Sequence, residues 1–159
     1  MGQQQLLLLV LATVIVGLAT VAGIQAFDEG QTQATQDALV QRAVNIGNDI
    51  WAAHNEPSQF GGMDLNSNPS KSDILTAAGY GEFTGGSTSI PADGAGDNAG
   101  CTISTSGSDP TTVTVTCADD GSGGSASDSG ASTNQSVTVT VDPSASNQVQ
   151  TSTINTTST

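Results

Sequence analysis

Hydrophobic residues follow three successive patterns along this chain. From Leu6 to Phe27 they are almost continuous, LLLLVLATVIVGLATVAGIQAF, and no charged residue interrupts them. Between Leu39 and Trp51 they recur every three or four positions, with Leu39, Ala43, Ile46 and Ile50 on one face and Val40, Val44 and Trp51 beside it. Beyond Gly100 they alternate with Thr and Ser. The first pattern predicts a helix that is apolar all round, the second an amphipathic helix, and the third half-buried strands.

At about 1.5 Å per residue, the first run reaches the roughly 30 Å of a bilayer's hydrocarbon core. No Lys or Arg precedes it, and it is longer than the apolar stretch of about 7–15 residues in a secretory signal, so a retained helix is expected. The polar stretch Asp28 to Gln36 contains no Pro and one Gly. One long helix is therefore predicted from about Gln3 to His54. It should end before Asn55-Glu56-Pro57, because the residue before a proline is pushed out of the helical region. Gly17, Gly23 and Gly30 are its weak points.

From Pro57 to Gly100 the chain is rich in Gly, Ser, Asn and Asp and reads as loop, with one short helix around Ser70 to Ala78 capped by Ser70 or Ser72. Its sparse apolar residues, Phe60, Met63, Leu65, Ile74, Leu75, Tyr80, Phe83 and Ile90, are expected to pin the connection against the helix. Further on, Val113, Val115 and Cys117 share one strand face, as do Val137, Val139 and Val141, and Val149 to Ile154 reads as a last strand. The opposite faces are almost entirely Thr and Ser, which fits an antiparallel meander with one face on the helix and the other in water. The connector Ala118 to Gln135 is low in complexity and reads as a surface loop. The expected fold class is α+β, a long N-terminal helix packed against a small antiparallel meander. Its parts are an apolar helix over 1–27, an amphipathic continuation over 28–56, and a loop and β domain over 57–159.

Charge narrows the partners. Fifteen acidic residues face only two basic ones, Arg42 and Lys71, for a formal net charge of −13. Nucleic acid and anionic lipid are poor partners for such a chain. Scattered acidity among Ser, Thr and Gly suits a saline habitat or an ordinary acidic extracellular protein. Cys101 and Cys117 lie on two alternating segments either side of the turn-rich Ser106 to Pro110. A hairpin centred near Asp109 sets the two sulfurs opposite one another, so a disulfide is expected, and with it an oxidising compartment. Zinc is a poorer reading, since only His54 could join the pair.

No catalytic set is visible. His54, the sole histidine, sits at the expected helix end, where it is expected to cap carbonyls or face water. Asp93, Asp97, Asn98, Asp119 and Asp120 offer oxygen ligands in Gly-rich loops, but without calcium-loop spacing or a closing Glu, so they read as solvated acidic loops. No metal or cofactor is expected. Asn134-Gln135-Ser136 and Asn155-Thr156-Thr157 match the N-glycosylation pattern, and the Ser- and Thr-rich stretches around them suit O-linked sugars. Met1-Gly2 is not a myristoylation signal, because Leu6 stands where that motif needs Ser or Thr.

In its whole architecture the chain resembles the type IV pilin family, which includes pseudopilins and archaeal pilin-like subunits. The shared features are a short N-terminus, a helix apolar then amphipathic, a variable loop, and a small sheet with a late disulfide. The resemblance implies cleavage by a prepilin peptidase between Gly2 and Gln3. Family leaders usually carry basic residues before that glycine, where this sequence has Met1. Most bacterial members also place a Glu five positions after the cut, where this sequence has Leu7. Gln3, Gln4 and Gln5 are the polar side chains near that end.

The resemblance further implies a filament core built from Leu6, Leu7, Leu8, Leu9, Val10, Leu11, Val14, Ile15, Val16, Gly17, Leu18, Val21, Gly23, Ile24 and Phe27. Ala12, Gly17, Ala19, Ala22 and Gly23 would allow close helix approach there. The expected function is structural rather than enzymatic: a subunit of an extracellular helical filament. Its partners would be further copies of itself, with the pilus assembly machinery and the cytoplasmic (inner) membrane before assembly. The alternatives are a pseudopilin of a secretion system and a monomeric surface protein held by a single membrane span.

Overall fold

The computed structural model describes residues 2–81, 89–96, 99–119 and 135–156, with residues 89 and 152–156 by backbone alone. Helix α1 runs Gly2–Asn55, and the chain divides into two compact units, Met1–Ala34 and Thr35–Thr159. The division falls inside the helix, at the point where its side chains begin to find a core.

In the second unit α1 packs against a five-stranded antiparallel sheet, which makes the fold α+β. The strands are β1 (Ser89–Pro91), β2 (Gly100–Thr105), β3 (Val113–Ala118), β4 (Gln135–Val141) and β5 (Val149–Thr156), and each pairs with the next as a plain meander. Helical period and strand period meet in one core. Leu39, Ala43, Ile46 and Ile50 come from α1, and Ile103, Val113, Val115, Val137, Val139 and Val141 from the sheet, all buried. On the other face Thr102, Thr116 and Thr138 stand in one cross-strand row, and Ser104, Thr114 and Thr140 in the next. Most of these are half-buried rather than fully in water, since directly opposed side chains on neighbouring strands screen one another.

Cys101 pairs with Cys117 in the β2–β3 register, and the two form a disulfide with Cα atoms 3.9 Å apart. Both sulfurs belong to the core, and the bridge closes a sequence separation of 16. Loop-closure entropy for a ring of that size corresponds to about 3 kcal/mol. Replacing both cysteines by Ser is expected to lower unfolding stability by about that amount. Denaturant midpoints of the two proteins under non-reducing conditions test this.

Helix α1 ends at Asn55, one residue beyond the expected end and still ahead of Pro57, and its last carbonyls find partners. Asn55 Nδ2 donates to Trp51 O at 2.8 Å, Glu56 N to Ala52 O at 3.1 Å, and Met63 N to Ala53 O at 3.0 Å. The returning chain packs so closely that a Cβ on Gly62 would lie 2.0 Å from Glu56 O. His54 does not cap its own helix. Its Nδ1 accepts the Leu65 N–H at 3.2 Å, so the ring ties the returning chain to the helix end with 15% of the side chain exposed.

The connection follows the expected course with three differences. Short 3-10 turns form at Ser58–Phe60 and Leu65–Ser67, and Ser89–Pro91 pairs with β2 as a strand where loop was expected. Phe60 is no pin, being 80% exposed, whereas Leu65, Ile74, Leu75 and Ile90 are buried and Met63 and Tyr80 pack at the core's margin. Phe83 lies outside the described residues. Helix α2 spans Lys71–Ala77, and Ser70 caps it in a box with Asp73.

On the polar side of α1, Arg42 Nε donates to Pro91 O at 3.1 Å and its guanidinium lies 5.7 Å from the Tyr80 ring centre. The Tyr80 hydroxyl donates to Asp49, and burial together with that carboxylate pushes the phenol up to about 12. Two helix turns thus hold both β1 and the end of α2.

Candidate membrane and assembly segment

Among the described residues, one helix is long and apolar enough to cross a membrane. Its apolar stretch lies in the first unit, where the large side chains meet nothing. Thirteen of them, from Leu6 to Phe27, are exposed, ranging from 52% at Val10 and Val14 to 76% at Phe27. Covering the remaining surface of these thirteen side chains is worth on the order of 10–20 kcal/mol. A water-exposed state of this segment is therefore not its working state.

The two threonine hydroxyls inside the run are already satisfied. Thr13 Oγ1 donates to Val10 O at 2.9 Å and Thr20 Oγ1 to Gly17 O at 2.8 Å. Neither hydroxyl needs water, so both can enter lipid or a dry protein contact without an unpaired donor.

Side-chain size is distributed unevenly around this helix. Successive residues are rotated by about 100°, which puts Leu7, Val10, Leu11, Val14, Leu18 and Val21 on one side. Ala12, Ala19, Gly23 and Ala26 form a stripe of small residues on the other. Thr13, Gly17 and Thr20 make a second small patch, set apart from the stripe by Val16 and Phe27. A Cβ added at Gly17 or Gly23 would meet nothing within 4 Å. Glycine in a helix interior costs about 1 kcal/mol relative to alanine, and nothing within the chain compensates for it at these two positions.

Gly2 and Gln3, the expected processing junction, occupy the first turn of α1. Cys101 and Cys117 are brought together, as described. Asn155 lies in β5 opposite Ser136, while Asn134, Asp97, Asn98 and Asp120 lie outside the described residues. Asp93 is exposed, and Asp119 is engaged at the strand ends, its Oδ1 accepting Gln135 N–H at 3.0 Å. Among the described residues no group of three or more His, Cys, Asp and Glu gathers as metal ligands. Asp64, beside His54, accepts from both the backbone and the side chain of Asn66, which hold its carboxyl below the usual range.

No known protein family, curated protein or solved structure matches the chain. Function must therefore be read from the surfaces themselves. Sequence periodicity found the apolar run but not Gly47, where helix and sheet in the second unit leave little room for a side chain. A Cβ there would stand 3.1 Å from Val139 Cγ1 and 3.2 Å from Val149 Cγ1. Its only sequence signal is a glycine interrupting the spacing of Ala43, Ile46 and Ile50.

Proposed function

We propose that this chain is a structural subunit of a type IV pilin-like filament at the cell surface. The segment Leu6 to Phe27 resides in the membrane before assembly and packs against the same segment of other copies afterwards. The observation that carries this reading is the pair Gly17 and Gly23, which lie in the exposed first part of α1, where a Cβ on either would meet nothing within 4 Å. A simple anchor needs only apolar length, because lipid tails gain nothing from glycine. Helices that pack on one another without water do gain, since small residues let their backbones approach and van der Waals contact increase.

Copies related by a screw rotation make contacts that do not close, so an open helical polymer follows. The acidic sheet domain then lies outside, where net charge keeps neighbouring filaments apart. Repulsion of this kind suits a surface fibre in a counterion-rich medium.

Exchanging residues 6–27 for an unrelated apolar segment of equal length, built from Leu and Val alone, tests the reading. Membrane insertion is expected to persist and sheared, pelletable filaments to disappear. Filaments at wild-type yield would leave the segment as a plain anchor.

A further inference from the structure

A groove of about 590 Å³ lies in the second unit between the end of α1 and the edge strand β5. Asn48 and Trp51 line it from the helix, Asn147 and Gln148 from the turn before β5, and Gln150 and Thr151 from β5 itself. It is shallow and open to solvent along much of its length. Trp51 is the only tryptophan in a chain whose aromatic content is 3%, and it is partly exposed at this groove rather than sunk in the core.

The lining carries no charge. Four amide side chains offer paired donors and acceptors, Thr151 adds a hydroxyl, and Trp51 and Val149 add apolar surface. Anions find no Lys or Arg here, and metal cations find no carboxylate. A neutral, polyhydroxylated ring matches each part. Its C–H face can lie on an aromatic plane, and its vicinal hydroxyls present the alternating donors and acceptors that a carboxamide reads.

Parts of the groove are held in place before any ligand arrives. The His54 ring lies 5.2 Å from that of Trp51 and is itself fixed by the Leu65 N–H, while Gln150 Nε2 donates to Asn147 O at 2.8 Å. A pre-ordered site loses less side-chain entropy on binding.

We propose that this groove binds a neutral saccharide, with Trp51 stacking on the sugar ring and the amides of Asn48, Gln148 and Gln150 pairing with its hydroxyls. The inference does not depend on filament assembly. It concerns the sheet domain of a single copy.

Trp51, left in place, is the reporter. The full chain, held in a detergent without a sugar headgroup, is titrated with lactose, maltose, cellobiose and N,N′-diacetylchitobiose while tryptophan fluorescence is followed. At least one sugar is expected to give a saturable change. Asn48→Ala and Gln150→Ala, both at exposed positions, are each expected to weaken it by about tenfold with the melting curve unchanged.

Three results would overturn the proposal. One is no saturable change with any of the four sugars at millimolar concentration. A second is undiminished sugar binding by the Asn48→Ala, Gln150→Ala double variant. The third is a response to an extended peptide alone, which would mark the open edge of β5 as a site of strand addition instead.

Discussion

A Gly23→Leu chain is expected to enter the membrane normally and to yield no filament. Gly23 lies in the apolar run with open space where a Cβ would stand, so the larger side chain disturbs nothing within its own subunit. Helix propensity improves by about 1 kcal/mol, and insertion into lipid becomes slightly more favourable. The loss arises only where another helix approaches the stripe of Ala12, Ala19, Gly23 and Ala26. Gly23→Ala is the graded control, expected to assemble at reduced or normal yield. Chain in the membrane fraction and chain in sheared, pelleted filaments are the two quantities to measure. Equal filament yield from wild type and Gly23→Leu would remove the small stripe from the contact.

In the second unit the largest effect is expected at Gly47. A Cβ there would sit 3.1 Å from Val139 Cγ1, 3.2 Å from Val149 Cγ1 and 3.6 Å from Val141 Cγ2, where helix and sheet come close together. Alanine requires those valines to yield by a few tenths of an ångström, and its helix propensity offsets about 1 kcal/mol of that cost. Gly47→Ala should therefore change stability by no more than about 1 kcal/mol. Leucine cannot be accommodated so simply and forces helix and sheet apart. Gly47→Leu is expected to destabilise the sheet domain by about 3 kcal/mol, seen as an earlier loss of β signal on heating. An unchanged melt would mean that helix and sheet are not packed as described.

The elements that the sequence reveals are those whose signal is periodic and local. Leu39, Ala43, Ile46 and Ile50 mark a helix face, and the alternating valines of 113–117 and 137–141 mark strand faces, because burial acts on every turn or every second residue. The cysteine pairing was legible for a related reason, since two alternating segments joined by a short turn fix their own register.

Other features depend on partners distant in the chain. Strand β1 is only three residues, Ser-Ile-Pro, and exists through its pairing with β2. His54 accepts a hydrogen bond from the backbone N–H of Leu65, beyond the turn, which no helix-end rule anticipates. Phe60 carries the composition of a core residue but sits on a turn that faces solvent. Gly47 leaves no hydrophobic mark at all, because what matters there is an absent side chain. The groove beside Trp51 joins helix and edge strand residues far apart in sequence, so no local pattern could announce it.

The apolar segment was the most legible part and is also the part with no partner inside the chain. Its thirteen exposed large side chains, its satisfied threonine hydroxyls and its glycines without neighbours are what the proposed passage from membrane to filament core calls on. The most direct measurement is electron microscopy of material sheared from producing cells, with mass spectrometry of the polypeptide it contains. Thin helical filaments composed of this chain, beginning at Gln3, are the predicted result. Filaments that lack this chain, or a chain found only as a monomer in the membrane fraction, would contradict the account.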